Sequence, residues 1–287
     1  MDEPLETFNA HRSRLLGIAY RMLGSRAAAE DVLQEAYIRW HQSDRAQVRS
    51  AEAWLVTSVT RLCIDQLRAA KTEREAYTGP WLPEPVVSRE VPSPEGIMET
   101  ASDVSIAFLA VLELLSPEER SAFLLREVFE FEYAEVAQIL GKSEATCRQI
   151  VHRAKERVRE GRPRFQVSRQ AHMRLLEKFI AAASTGNRQQ LEVLFAEDAT
   201  FTSDGGGKVR AVLKVLHGAE RIARLFYALA GWLGDRASLR IAEVNGEPGL
   251  LRYVDGKLDA VLSLVTDGVH ILDVYTVRNP DKLKGLH

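Results

Sequence analysis

Cysteine is nearly absent from this 287-residue chain: only Cys63 and Cys147 are present, far apart. Two such residues cannot frame a disulfide-stapled domain, and a zinc site would need several more ligands. Both are expected as small buried apolar side chains, and no cofactor or metal is expected. Long apolar runs are missing too, since none approaches the ~20 residues that span a bilayer. The start, Met1-Asp2-Glu3-Pro4-Leu5-Glu6, lacks the basic residues and apolar core of a secretory signal. No membrane association is expected, and the cytoplasm is the default location. Nor is there an excess of charge of either sign: the formal net charge is −2, with 27% charged and 46% hydrophobic residues. That balance is ordinary for a globular chain, and it leaves room for a local basic patch. The length allows two or three compact units at roughly 100–200 residues each.

What is present divides the chain. Over the first ~75 residues apolar positions recur at helical spacing: Phe8, Leu15, Leu16, Ala19, Met22 and Leu23 predict one helix. Gly24-Ser25 interrupts it, a second helix is predicted from Ala27 to Trp40, and a third carries Trp54, Leu55, Val59, Leu62 and Leu67. Five of the ten prolines, Pro80, Pro83, Pro85, Pro92 and Pro94, fall between residues 77 and 98. Proline removes backbone donors and restricts the residue before it, so this stretch reads as an extended linker. Helices resume over Val104–Arg159, and a boundary is expected near Gly161-Arg162-Pro163. Beyond it, helices over about 168–184 and 219–229 precede strands at Leu250–Val254, Leu258–Val265 and Val269–Val277. Asp255-Gly256 and Asp267-Gly268 separate those strands, and Asp-Gly is a strong hairpin signal because a type I′ turn needs two positive φ angles. The last third is therefore expected to be α+β with an antiparallel meander. The expected divisions are 1–76, 77–100 (linker), 101–163 and 164–287.

The sharpest local signal lies in residues 116–160. Ser116-Pro117-Glu118-Glu119 offers Ser as N-cap, Pro at N1 and Glu at N3, the composition of a capping box. Tyr133, Val136, Ala137 and Leu140 form one helical stripe, Gly141 ends it, and Ser143 can cap the next helix. On that next helix Cys147, Val151, Ala154 and Val158 share a face expected to be buried. Ala145, Thr146, Gln149, Arg153 and Glu156 lie opposite, with His152 on the flank. From Lys142 to Arg164 eight basic residues meet three acidic ones, a local excess of +5. A charge run alone reads as a solvated face. Turn, cap, buried stripe and charge together describe a helix-turn-helix, whose second helix can enter a major groove while its cations neutralise phosphates.

The N-terminal block closely resembles region 2 of extracytoplasmic-function (ECF) RNA polymerase sigma factors. The resemblance runs through Arg21-Met22-Leu23-Gly24-Ser25, Ala29-Glu30-Asp31-Val32-Leu33-Gln34-Glu35-Ala36-Tyr37, Ala53-Trp54-Leu55 and Cys63-Ile64-Asp65-Gln66-Leu67-Arg68. Region 4 of the same family is matched by Leu115-Ser116-Pro117-Glu118-Glu119-Arg120 and from Tyr133-Ala134-Glu135-Val136-Ala137 to His152-Arg153-Ala154. The resemblance implies that Asp31, Gln34 and Glu35, on one helical face by their spacing, dock on RNA polymerase core enzyme. It implies that Arg61, Arg68, Lys71 and Arg74 hold opened promoter DNA at the minus-10 element, where separated strands need cations. The family often has Asn where Arg61 stands. Region 4 would read the minus-35 element through Thr146, Arg148, Gln149, His152, Arg153 and Lys155. Trp54 is weighed as core rather than as a stacking platform.

Most members of that family end after region 4. Here the chain continues, and the continuation resembles the SnoaL-like fold, a cone of helices and curved sheet. Three segments sharpen the match: Trp81-Leu82-Pro83-Glu84-Pro85, Asp204-Gly205-Gly206-Gly207-Lys208 and Asn279-Pro280-Asp281-Lys282-Leu283. Together they resemble the sigma subgroup whose fused SnoaL-like domain regulates activity in cis, which implies that the domain contacts the sigma core and the linker through these segments and that no separate anti-sigma factor is needed. The expected architecture is thus multidomain: two all-α sigma domains followed by an α+β SnoaL-like cone. The glycine run lacks the spacing of a phosphate loop and reads as a flexible turn or a point of close approach. An enzyme reading would draw on His217, His270, Asp259 and Asp273. His270 and Asp273, three apart in a regular strand, would face opposite sides, so no catalytic residue is expected. A small-molecule ligand in the cone is left open. The rival to a sigma factor is a ligand-responsive helix-turn-helix regulator that never joins polymerase.

Overall fold

A computed structural model describes residues 3–88, 104–161 and 167–286. Pro92 and Pro94, the boundary at Arg162-Pro163 and the cations Arg162 and Arg164 lie outside the described residues. The chain divides into two compact units: residues 1–75 with 95–104 and 108–162, and residues 76–94 with 105–107 and 163–287.

The first unit is helical. It contains α1 (Glu3–Leu23), α2 (Arg26–Gln42), α3 (Ala51–Ala69) and the short α4 (Lys71–Glu75). After the linker come α5 (Ile106–Leu112), α6 (Pro117–Phe123), a π-helical turn over Leu124–Val128, α7 (Tyr133–Leu140) and α8 (Glu144–Gly161). Serine sets the starts. Ser25 accepts from Ala28 N at 3.2 Å and Ser50 from Ala53 N at 3.3 Å. At α6 the expected capping box is present: Ser116 Oγ accepts from Glu119 N at 3.3 Å, and Ser116 N donates to Glu119 Oε2 at 3.0 Å. Such caps satisfy amides that a helix start would otherwise leave unpaired. The core is apolar, with Leu15, Ile18, Met22, Leu55 and Leu124 at 1% exposure or less. One charged knot penetrates it. Arg120, 2% exposed, donates to Met22 O and to Glu113 Oε1, both at 2.6 Å.

The second unit is α+β. It holds β1 (Val87–Ser88), α9 (Arg169–Thr185), α10 (Arg188–Leu194), β2 (Phe195–Asp204) and β3 (Leu216–His217). There follow α11 (Ala219–Leu233), β4 (Ala237–Val244), β5 (Glu247–Val254), β6 (Lys257–Thr266), β7 (Ile271–Val277) and α12 (Pro280–Leu283). The sheet order is β1-β4-β5-β6-β7-β2-β3, with β2 parallel to β7 and every other pair antiparallel. Its inner face closes over α9 and α11 around Phe179, Phe195, Phe201 and Phe226. Phe179 meets Phe226 edge-on at 4.9 Å, a pairing worth about 0.5–1.5 kcal/mol beyond area burial. This is the helices-against-curved-sheet cone expected of a SnoaL-like domain.

The meander has one strand more than the three predicted. β4 joins β5 through Asn245 (φ 53) and Gly246 (φ 77), both in the left-handed region of a type I′ turn. Asp255 (φ 51) and Gly256 (φ 75) do the same between β5 and β6, as expected. Asp267-Gly268 does not. Only Gly268 has positive φ there, and the Asp267 carboxylate accepts from Val269 N and His270 N in a longer loop. His270 therefore lies in a turn, and β7 begins at Ile271. The linker also departs from a purely unpaired stretch, because Val87 and Ser88 pair with Val244 and Glu243 as an edge strand.

Candidate functional site

The helix-turn-helix is built as its sequence implies. Gly141 takes φ 65 at the end of α7, the left-handed conformation that favours glycine at a helix end. Ser143 Oγ then accepts from Thr146 N at 3.2 Å, starting α8. Cys147, Ile150, Val151, Ala154 and Val158 are buried on one face, while Thr146, Arg148, Gln149, His152, Arg153 and Lys155 are exposed. Arg148 donates to Glu144 at 2.9 Å and lies over the Tyr133 ring at 4.3 Å. Lys155 pairs with Glu127 at 2.7 Å and His152 approaches Glu156 at 3.8 Å. Arg153 has no ion pair with a described residue. Exposed pairs of this kind contribute about 0–1 kcal/mol, so exchanging them for phosphate contacts costs little.

In the N-terminal helices Asp31 and Gln34 are exposed on α2, with Glu35 beside them accepting from Arg39 at 2.8 Å. The four cations of the α3–α4 end divide into two kinds. Arg61, Arg68 and Lys71 are exposed: Arg61 Nε donates to Ile139 O at 3.2 Å, Arg68 to Glu118 at 2.7 Å, and Lys71 lies 3.8 Å from Glu75. Arg74 is 25% exposed and engages Glu113 and Leu23 O. Burial pulls its guanidinium below the usual arginine range, and Glu113 opposes that. Glu118, which sequence reasoning passed over as a site residue, also accepts from Lys142 at 3.1 Å. The Lys142 bond, partly offset by burial and joined by Arg68, holds its carboxyl below the ordinary value. Trp54 is half-buried with its ring 5.3 Å from Trp40.

The three segments singled out in the second unit converge on one carboxylate. Asp204, fully buried at the end of β2, accepts from Tyr77 Oη at 2.6 Å, Leu82 N at 2.9 Å, Gly206 N at 3.0 Å and Lys282 Nζ at 2.7 Å. Its backbone oxygen accepts from Arg278 N and Asn279 N. Lys282 also donates to Leu82 O and lies 3.9 Å from the centroid of the Trp81 ring. Asn279 Nδ2 donates to Tyr77 Oη at 2.9 Å. Burial, and then the Asp204 bond, push the Tyr77 phenol above its ordinary range. Leu82, Pro83 and Pro85 are buried. Further along, Val86 exchanges hydrogen bonds with Asn245 through Asn245 Oδ1 at 2.9 Å and Asn245 N at 2.7 Å.

The glycines are required by crowding. A Cβ on Gly206 would stand 2.3 Å from Asn279 Nδ2, and one on Gly205 would stand 2.7 Å from Val209 O. Lys208 reaches Asp281, which also accepts from Lys284 at 2.8 Å. Those two lysines bring the exposed Asp281 carboxyl down to about 2. Tyr77 and Asn245 belong to this clasp although sequence reasoning did not single them out. Tyr77 is the first residue of the proline-rich stretch, which is the only signal it offered.

The titratable residues weighed for catalysis are dispersed. His217 is exposed on β3, and Asp273 accepts from Thr200 Oγ1 at 2.5 Å on the outer face of the sheet. His270 sits in the β6–β7 loop, and Asp259 is held between Arg252 and Arg278.

Two helical blocks, the second ending in a helix-turn-helix, define a sigma-type transcription protein with a fused α+β cone. The family models for sigma-70 region 2 and sigma-70 region 4 match residues 7–73 and 105–158. The chain is 36% identical to the ECF RNA polymerase sigma factor SigJ of Mycobacterium tuberculosis, over 97% of this chain and 92% of that protein. It is 30% identical to the probable ECF sigma factor SigI of the same organism, over 97% and 94%. The crystal structure of SigJ matches with a TM-score of 0.77 at 33% identity, covering 98% of both chains. The chain belongs to the ECF RNA polymerase sigma factors.

Proposed function

We propose that the cone regulates this sigma factor in cis, by holding residues 77–88 against itself through Asp204. The sigma role, directing RNA polymerase to specific promoters, goes with the family. The observation that carries the cis reading is the clasp. Four donors from the linker, the glycine turn and α12 meet one buried carboxylate, three of them from side chains or backbone outside its own turn. Residues 77–88 connect α4 to the segment leading into α5, so whatever holds them acts on the chain that joins region 2 to region 4.

Within this reading Asp31, Gln34 and Glu35 dock on RNA polymerase core enzyme. Arg61, Arg68, Lys71 and Arg74 face promoter DNA at the minus-10 element, with Arg74 first having to release Glu113. Thr146, Arg148, Gln149, His152, Arg153 and Lys155 read the minus-35 element; their exposure on one side of α8 supports this. The working divisions are 1–76, 77–100, 101–163 and 164–287. The protein acts in the cytoplasm, without enzymatic activity of its own and without a separate anti-sigma factor, and its cone takes a small-molecule ligand. No helix among the described residues is long and apolar enough to cross a membrane.

In vitro transcription with purified core enzyme tests the proposal. Full-length protein should give promoter-specific transcripts without another sigma factor. Lys282→Met, which opens the clasp from the cone side, should change their yield while leaving α8 folded. An unchanged yield from a demonstrably opened clasp refutes cis regulation, and no transcript from any form refutes the sigma role.

A further inference from the structure

The cone contains a cavity of about 330 Å³, at the small end of the roughly 300–1,000 Å³ typical of ligand sites. Much of its wall is apolar, formed by Phe179, Phe226, Leu229, Leu233, Leu239 and Leu262. Of its polar side chains, Ser184 and Asp235 are exposed and Arg252 is buried. Arg252 on β5 lies two positions from Leu250, on the face that elsewhere supplies the aromatic core, and its side chain is 7% exposed. A buried cation is costly unless paired, and the partner is placed by a strand irregularity. Pairing between β5 and β6 shifts from Arg252↔Ala260 to Tyr253↔Leu258, leaving Asp259 as the extra residue of a bulge. Bulges re-aim side chains, and here Asp259 meets the guanidinium.

The charges do not cancel. Asp259 Oδ2 accepts from Arg252 Nε at 2.9 Å and Nη2 at 2.6 Å, while Oδ1 accepts from Arg278 Nη2 at 2.7 Å. One carboxylate thus serves two guanidiniums, and both its oxygens are occupied. Burial raises the Asp259 carboxyl, but the two arginines more than offset this and hold it below the ordinary value, so it stays ionised. The trio carries one net positive charge. Arg252 Nη1 makes no hydrogen bond to a described residue, although Arg252 lines the cavity. Directly opposite Leu262, Thr276 carries a buried hydroxyl without a partner. The other charged side chain lining the cavity, Asp235, stands exposed at the rim, where water screens it.

We propose that the cone binds a small monoanion with an apolar body, a carboxylate, whose charged end meets Arg252 and whose body lies among Phe179, Phe226 and Leu239. The inference rests on the reading that the cone takes a ligand, and adds its class. Arg is suited to it because a guanidinium offers a planar set of donors matched to carboxylate.

Isothermal titration of the full-length protein with octanoate, and with 1-octanol as the uncharged analogue, tests it. Saturable 1:1 binding of octanoate is expected, with affinity about ten-fold or more above that of 1-octanol, as one charge-assisted hydrogen bond implies. Arg252→Met should erase that preference while sparing the Asp259–Arg278 pair. Ala183→Phe, which fills the mouth from α9, should abolish binding of both compounds. If Arg252→Met does not fold, the wild-type preference together with Ala183→Phe decides. Equal binding of the two compounds, both lost in Ala183→Phe, overturns the anion assignment and leaves a ligand-binding cone standing. Binding that survives Ala183→Phe, or no binding of either compound, overturns the site itself.

Discussion

The Tyr77 hydroxyl donates to the Asp204 carboxylate at 2.6 Å, joining residues 127 positions apart. Lys282 approaches the same carboxylate at 2.7 Å, with side-chain exposures of 12% and 0% for the pair. Removing one partner of a buried pair leaves an uncompensated charge and costs about 3–5 kcal/mol. Asp204→Ala should therefore destabilise the second unit by several kcal/mol in urea unfolding. Tyr77→Phe should cost only about 1–3 kcal/mol, the loss of one hydrogen bond to a charged group. Hydrogen exchange at Leu82 N should rise in both variants.

Gly206 and Gly231 should respond in opposite directions to the same substitution. Gly206 has φ 61 and a Cβ there would collide with Asn279, so Gly206→Ala should destabilise by more than about 1 kcal/mol. Gly231 lies within α11 with nothing near its missing Cβ, so Gly231→Ala should stabilise by about 0.5–1 kcal/mol through helix propensity. Thermal melts of the two variants check the contrast.

On α8, Arg148→Ala and Arg153→Ala should weaken promoter binding while costing at most about 1 kcal/mol of fold stability, since both side chains are exposed and the Arg148 contacts lie at the surface. A lost base contact would cost ~1–3 kcal/mol and relax specificity at one position. A lost phosphate contact would instead lower the salt slope by about 1. Fluorescence anisotropy of holoenzyme on promoter DNA over a salt series separates the two.

His172 on α9 is 8% exposed and its Nε2 has no partner. Burial, with Arg169 nearby, lowers its pKa from the ordinary 6.5, against a backbone bond that raises it. A base whose folded pKa is depressed favours folding in its neutral form. That contribution is fully present above pH 6.5 and is lost as pH falls toward the depressed value. The second unit should accordingly soften on mild acidification, and His172→Leu should flatten the dependence. Urea midpoints measured between neutral and mildly acid pH would show it.

Local chemistry made much of the fold legible. Ser116 with Glu119, Gly141 with Ser143, and the stripe from Cys147 to Val158 each state a cap, a stop or a face within a few residues. Asp255-Gly256 announced its hairpin for the same reason. Asn245-Gly246 carried an equal signal, yet β4 went unread because its alternation is short: Leu239 and Ile241 alternate with Ser238 and Arg240, and Ala242 and Glu243 then break the period. Asp267-Gly268 misled because the Asp267 side chain caps the loop amides and so replaces the tight turn. Trp81–Pro85, Asp204–Lys208 and Asn279–Leu283 were marked as contact segments by resemblance alone, and their meeting at one carboxylate was not legible. No local period can report that one carboxylate gathers donors from three distant segments. Arg252 was invisible for a related reason: within Leu250–Val254 it passes for an outward residue, and only the bulge at Asp259 explains how it is accommodated inside.

The donors from α12 give the clasp an order in time. At about 5–20 residues per second, a ribosome needs roughly 6–24 s to travel from Gly161 to Lys282. During that interval both sigma regions have been synthesised, while Asp204 awaits the Lys282 ammonium at its carboxylate and the Asn279 backbone N–H at its carbonyl oxygen. A nascent or prematurely terminated chain would thus present region 2 and region 4 with an unfastened linker, and the clasp would close last.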